Sequence, residues 1–223
     1  MRVRKLGLVA YEEALRLQKA LAEARLSGGE DTLLLLSHPH TYTLGSAADE
    51  SHILLSADEL AARRIGVYRT DRGGGVTYHG AGQIVGYPIM QLARPDELGG
   101  LRADVVGYVR RIEQVIMATA ADYGVETYSI PGLTGVWTKT PAGDAKIAAI
   151  GVRVNVKRVT THGFALNVNT DLSYFEGIVP CGIRDKGVTS LAALLGCAVD
   201  EDAVMARLIA HFGRVFGVEI AES

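Results

Sequence analysis

Three consecutive glycines stand in the segment Arg72-Gly73-Gly74-Gly75-Val76-Thr77-Tyr78-His79-Gly80. A helix or strand holds such a run poorly, because each glycine loses more backbone entropy on ordering than a residue with a side chain. The run therefore predicts a loop used for close backbone approach or for positive φ. Taken alone the glycines fit a flexible hairpin turn; Arg72, Thr77, Tyr78 and His79 around them point to a loop that lines a ligand. It is not a phosphate loop, since no Lys-Ser/Thr follows. Nor is it a dinucleotide fingerprint: after Gly80-Ala81-Gly82 the next glycine, Gly86, comes one position late, and a strand pattern stands where a helix should open.

Strand and helix patterns alternate around this loop. Residues 2–9, 32–36, 67–70, 84–91 and 162–169 read as strands, and 136–154 as a hairpin whose long loop carries Pro141-Ala142-Gly143-Asp144. Helices are predicted over 11–26, with Tyr11, Ala14, Leu15, Gln18 and Ala22 on one face; over 104–123, with Val105, Val109, Ile112, Ile116 and Ala120; and over 202–216, with Val204, Leu208, Phe212 and Phe216. Ser56 and Glu59 form a capping box that starts a short helix ending near Gly66. The expectation is α/β (α+β): one domain over residues 1–223, with helices covering a mostly buried sheet.

Composition narrows the function class. Hydrophobic residues make up 48% and charged residues 22%, a balance that builds an ordinary globular core. A net charge of −2 leaves no electrostatic footprint for nucleic acid. The apolar run Leu33-Leu34-Leu35-Leu36 is far too short to span a membrane. The N-terminus is basic, but Glu12 and Glu13 break the apolar region that a signal peptide needs. Two cysteines make no disulfide framework. The expected location is the cytoplasm, with both thiols reduced.

Two further segments carry chemistry. In Lys146-Ile147-Ala148-Ala149-Ile150-Gly151-Val152-Arg153-Val154, strict alternation puts Lys146 with Ala148, Ile150, Val152 and Val154, opposite the small residues Ala149 and Gly151. A lysine entering a strand on its apolar side either snorkels at the sheet edge or is held where its charge is used. His162-Gly163-Phe164-Ala165-Leu166 repeats the economy in side chains. In Val179-Pro180-Cys181-Gly182-Ile183, proline fixes the backbone ahead of the thiol and glycine leaves it uncrowded behind. Cys197 reads as a small buried hydrophobe. A thiol has a pKa of about 8.5 and needs a neighbouring positive charge or a base to react at neutral pH. Lys146, His79 and His162 are all candidates, and spacing does not choose among them.

Taken together, the segments resemble the lipoyl(octanoyl) transferases. The match includes Tyr11-Glu12-Glu13-Ala14, His38-Pro39, Tyr42-Thr43-Leu44-Gly45, residues 72–80, Gly82-Gln83, Gly135-Val136-Trp137, residues 146–151, residues 162–167 and Pro180-Cys181-Gly182. Ala81 and Arg158 depart from the pattern, where proline and tryptophan are expected. The resemblance implies a mixed β-sheet flanked by helices, as in biotin and lipoate protein ligases, and a reaction that needs neither metal nor cofactor. It implies Cys181 as the acyl-carrying nucleophile and Lys146 as the residue that lowers its pKa. Arg72, Gly73, Gly74, Gly75, Val76, Thr77, Tyr78, His79, Ala149, Ile150, Gly151, Gly163, Phe164 and Ala165 would line the acyl site. The implied donor is octanoyl-acyl carrier protein. The implied acceptors are lipoyl domains of 2-oxoacid dehydrogenase complexes and the glycine cleavage H protein. The rivals are an ATP-dependent lipoate ligase, a non-catalytic acyl-binding or carrier-binding module, and a thioesterase in which water rather than an amine resolves the thioester.

Overall fold

The computed structural model describes residues 1–93, 104–179 and 186–222. In chain order its elements are β1 (Arg2–Leu8), α1 (Tyr11–Leu26), β2 (Thr32–Ser37), β3 (Thr41–Leu44), α2 (Ala57–Ala62), β4 (Gly66–Arg69), β5 (Val76–His79), β6 (Gln83–Ile89), α3 (Val105–Ala121), β7 (Tyr128–Ile130), β8 (Leu133–Thr140), β9 (Gly143–Val154), β10 (Thr160–Asn167), β11 (Gly187–Val188), α4 (Leu191–Leu195), α5 (Glu201–Phe216) and β12 (Ala221–Glu222). A mixed sheet runs β12-β1-β2-β6-β10-β9-β8-β7, with β11 added parallel to β9. A second sheet runs β4-β3-β5. This is the mixed α/β sheet flanked by helices that the sequence predicts.

The large sheet separates two apolar layers because its side chains alternate between faces. Leu33, Leu35, Ile84, Phe164 and Leu166 pack against Tyr108, Ile112, Val115 and Ile116 of α3 and Val204, Leu208 and Phe212 of α5. Leu34, Leu36, Val85 and Ala165 pack against Ala14 and Ala22 of α1. The small sheet has a core of its own, with Tyr42, Leu44, Val76, Tyr78, Phe175 and Ile178. No helix among the described residues is long and apolar enough to cross a membrane.

Several local rules hold in detail. Ser56 and Glu59 close their capping box over α2. Asp104 caps α3 through Gly107 N–H, and Asp200 caps α5 through the N–H groups of Asp202 and Ala203.

Other expectations are corrected. The predicted long loop in the β8–β9 hairpin is two residues, Pro141 and Ala142, since Thr140 already pairs with Gly143. Gly143, directly after the turn, takes a φ of +114°, a backbone region that glycine enters without a steric cost. The buried stripe of α3 runs through Tyr108, Ile112, Glu113, Val115, Ile116, Thr119 and Ala120, leaving Val105 exposed. Cys197 is exposed, not buried. Strands β3 and β5 escape the sequence pattern because four-residue strands in an aromatic, polar motif show little alternation.

Candidate active site

The floor of the site is built by antiparallel strands. Gly163 pairs with Gly151 and Ala165 with Ala149, so small residues meet across β10 and β9. The larger Phe164 and Leu166 turn into the core under α3 and α5. On the other side of β9 the register shifts: Val136 pairs with Ala148, but Trp137 pairs with Lys146. Ile147 is therefore an extra residue, a β-bulge, and it reverses the alternation at that point. Ile147 and Ala148 both enter the core, while Lys146 falls on the cavity side with Ala149 and Gly151. The expectation from strict alternation, which set Lys146 opposite those residues, is thus overturned by one inserted residue.

The roof is the glycine loop. Gly73 N–H donates to Val152 O at 3.0 Å, docking the loop on the part of β9 that β8 leaves uncovered. Gly45 and Ala47 N–H groups donate to Gly75 O and Gly74 O. Arg72 is 7% exposed, and its guanidinium donates to Thr43 O at 2.6 Å, Thr43 Oγ1 at 2.9 Å and Gly73 O at 3.0 Å. It pins the loop to β3. A Cβ on Gly151 would stand 2.8 Å from Gly73 O, so the glycine at 151 is what lets the roof close on the floor.

Between roof and floor lies a cavity of about 390 Å³. Of the residues implied by the resemblance, Arg72, Gly74, Gly75, Val76, Thr77, His79, Lys146, Ala149, Ile150, Gly151, Gly163, Phe164 and Ala165 are on its wall. Gly73 and Tyr78 are not among the lining residues. Gly73 is turned to Val152, and Tyr78 is buried in the small-sheet core with its hydroxyl 2.8 Å from His40 Nδ1. The wall also includes Tyr11, His52, Gln83, Tyr87 and Asn167, which the sequence reading did not single out as site residues. Tyr11, Gln83 and Asn167 were signalled only by membership of the matched motifs or of the buried helix face, and nothing in the sequence pattern marked His52.

A buried polar chain holds the wall together. Gln83 donates from Nε2 to Asn167 Oδ1 at 2.9 Å, and Asn167 donates from Nδ2 to Thr189 O at 3.0 Å. With its amide nitrogen so used, Gln83 accepts through Oε1 from His79 Nδ1 at 2.9 Å. Thr189 N–H then donates to Lys146 O at 3.0 Å. His79 is held neutral: burial, then the imidazole of His38, push its pKa well below the usual value. His38 Nδ1 donates to Val9 O and Nε2 accepts from Tyr87 Oη, and burial brings its pKa down to about 4. His162 has a φ of +56° and holds Asp71 at 2.8 Å through Nε2. Burial first, then Arg72 and Arg153, lower its pKa to about 4, and Arg153 also pairs with Asp71.

Neither His79 nor His162 can therefore supply a positive charge at neutral pH. His162 also sits opposite Val152, six residues along β9 from Lys146, or roughly 20 Å at about 3.3 Å per residue. Cys181 lies outside the described residues, as do Pro180 and Gly182. The described residues on either side are anchored at the cavity wall. Val179 N–H donates to His52 O at 2.8 Å, and Val188 pairs with Lys146 in the parallel β9–β11 ladder.

The model of the lipoyl protein ligase A/B catalytic domain matches residues 10–213. An octanoyltransferase of Chloroflexus aurantiacus is 50% identical over 215 residues, covering 96% of this chain and 93% of that one. Another, from Solibacter usitatus, is 49% identical over 219 residues, covering 98% and 94%. The chain belongs to the lipoyl protein ligase A/B family, among its octanoyltransferases.

Solved structures agree on the fold. The bi-partite lipoate protein ligase of Thermoplasma acidophilum superposes with a TM-score of 0.75 at 17% identity, covering 100% of this chain and 86% of that one. The Aquifex aeolicus biotin protein ligase does so with a TM-score of 0.51 at 12% identity, covering 97% and 69%. In this octanoyltransferase the shared sheet carries the floor, and the β9 bulge sets Lys146 at the edge of that floor.

Proposed function

We propose that the protein takes an octanoyl group from octanoyl-acyl carrier protein onto Cys181 and passes it to a lysine of a lipoyl domain, starting protein lipoylation. The observation that carries this reading is the β9 bulge. It places the Lys146 ammonium on the same face as the small-residue floor, next to the strand that leads back toward Cys181.

The chemistry balances without ATP or metal. The Cys181 thiol gives up its proton, the thiolate attacks the carrier thioester, the tetrahedral oxyanion collapses, and the carrier thiolate leaves and takes up a proton in turn. The neutral amine of the target lysine then attacks the Cys181 thioester, loses a proton, and expels the thiolate as the amide forms. Thioester exchange is nearly isoenergetic and amide formation is downhill. Lys146 favours the attacking thiolate: lowering a thiol pKa by two units takes about 2.7 kcal/mol. An ammonium some 4 Å away at an effective dielectric of 20 supplies about 4 kcal/mol, enough for that task.

The octanoyl tail would lie between the glycine loop and the Ala149, Gly151, Gly163 and Ala165 strip, where each buried methylene contributes about 0.8 kcal/mol. The 2-oxoacid dehydrogenase complexes and the glycine cleavage H protein are the acceptors this reading names. It treats residues 1–223 as one catalytic domain working in the cytoplasm, a setting that suits the exposed thiol of Cys197.

Incubation with octanoyl-acyl carrier protein should add one octanoyl mass at Cys181 and, with lipoyl domain present, transfer it onward. Cys181→Ser should abolish both steps. Transfer of free octanoate or lipoate that requires ATP and survives Cys181→Ser would overturn the reading in favour of a ligase.

A further inference from the structure

We infer that Trp137 is a positioning residue: its indole face docks the Lys146 ammonium and holds it at the cavity, an inference that rests on the role proposed for Lys146. Lys146 Nζ stands 4.6 Å from the centroid of the Trp137 ring, within the range in which a cation is drawn to the electron-rich face of an indole. The ring itself is fixed. Trp137 is 2% exposed, donates from Nε1 to Leu133 O at 3.3 Å, and is paired with Tyr128 on its other side.

The lysine stem is guided as well. Gly135 has a φ of +125°, and a Cβ there would lie 3.2 Å from Lys146 Cε and 3.3 Å from Cδ. That Cβ would also stand 2.7 Å from Ala148 O, so the close strand pairing itself calls for glycine here, and the lysine stem passes against it. Gly135 N–H is held in turn by the buried carboxylate of Glu113 at 3.2 Å. The β-bulge at Ile147 turns Lys146 to this face, its stem passes over Gly135, and Trp137 receives its charge. The motif Gly135-Val136-Trp137 therefore serves Lys146 rather than the acyl tail.

Other charges surround the pair. Lys186 Nζ is 5.9 Å from the same ring centroid, but it is also 2.8 Å from Asp144 Oδ2. Asp144 additionally pairs with Lys139 and accepts from the Tyr128 hydroxyl. From α3, Glu113 is paired with Arg110. Of the two ammoniums, that of Lys146 is the nearer to the indole face, at 4.6 Å against 5.9 Å for Lys186.

The chain has one tryptophan, so fluorinated tryptophans incorporated biosynthetically alter this ring alone and keep its shape. Trp137 fluorescence followed through alkaline pH should show a step that Lys146→Met removes and Lys186→Met retains. Because fluorination weakens the attraction of the ring face for a cation, the midpoint should fall by roughly half a unit or more in the tetrafluoro protein.

In a Cys197→Ser background, Trp137→Leu should move the pH profile of Cys181 alkylation upward, toward that of Lys146→Met, and Trp137→Phe should recover part of the shift. A midpoint unchanged by fluorination, or no Lys146-dependent step at all, overturns the inference even if Trp137→Leu does not fold. Neither measurement uses an acyl donor. Failure of octanoyl transfer to wild-type Cys181 would therefore sink the proposed function and leave this inference to its own result.

Discussion

The two ends of the cavity handle charge in opposite ways. At the Lys146 end a cation is kept: the bulge in β9 turns it inward, and Trp137 lies beneath it at 4.6 Å. At the other end the wall carries Tyr87, backed by His38, and His162, which are polar by composition but neutral in place. Burial removes the charge from the histidines, and the Tyr87–His38–Val9 chain satisfies its own hydrogen bonds. A charge costs less where it faces the electron-rich face of an aromatic ring than where it is enclosed without a partner. On the proposed function, the contrast would make the Lys146 end the reactive one and leave the tyrosine–histidine end to receive the apolar tail.

The largest test removes the charge from the reactive end. Lys146→Met should cut octanoyl transfer roughly 100-fold or more, equivalent to the about 2.7 kcal/mol of two pKa units, and raise the alkylation pH of Cys181. An unchanged rate would erase the distinction between the ends.

A second test forces charge onto the neutral end. His38 has a pKa near 4 in the fold against about 6.5 unfolded, so the unfolded state takes up the proton first as pH falls. Its stabilising contribution is complete above pH 6.5 and is lost between there and about 4, roughly 3 kcal/mol at most. Chemical unfolding at pH 7 and pH 4 should show this loss, and His38→Gln should make the dependence shallower by about one proton. His79 and His162 would keep part of the slope.

A smaller change sharpens the comparison from the floor between the ends. Ala149→Val adds two methyl groups beside the proposed path of the tail and should shift the hexanoyl-to-octanoyl ratio of kcat/KM by roughly 15-fold relative to the wild type, from about 0.8 kcal/mol for each of two displaced methylenes. Competition between two acyl carrier substrates measures it. The smallest effect is a control away from both ends: Ser56→Ala should lower stability by about 1 kcal/mol through the cap of α2, with transfer unchanged.

Much of this was legible in the chain. Helix α1 spans the expected residues, and its buried positions Tyr11, Ala14, Gln18 and Ala22 follow the 3.6-residue period. The floor showed as paired small residues in two strand patterns. What escaped were features that have no period. Strands β3 and β5 are too short to alternate, and the β8–β9 turn is tighter than its four turn-forming residues suggested. The cavity-lining Tyr11 looked like any buried helix residue, since a side chain facing a cavity and one facing a core obey the same pattern.

By itself, then, the sequence determined the element order, the two-sided burial of the sheet and the need for a close-approach loop at Gly73-Gly74-Gly75. Those features come from local entropy and from the periods of helix and strand. Only the tertiary structure decided the face of Lys146. One residue inserted at Ile147 reverses the alternation, and it is visible only against the partner strand that fails to insert one. It also decided that His79 and His162 are neutral, since an imidazole of either charge has the same letter and only its burial and neighbours set the proton.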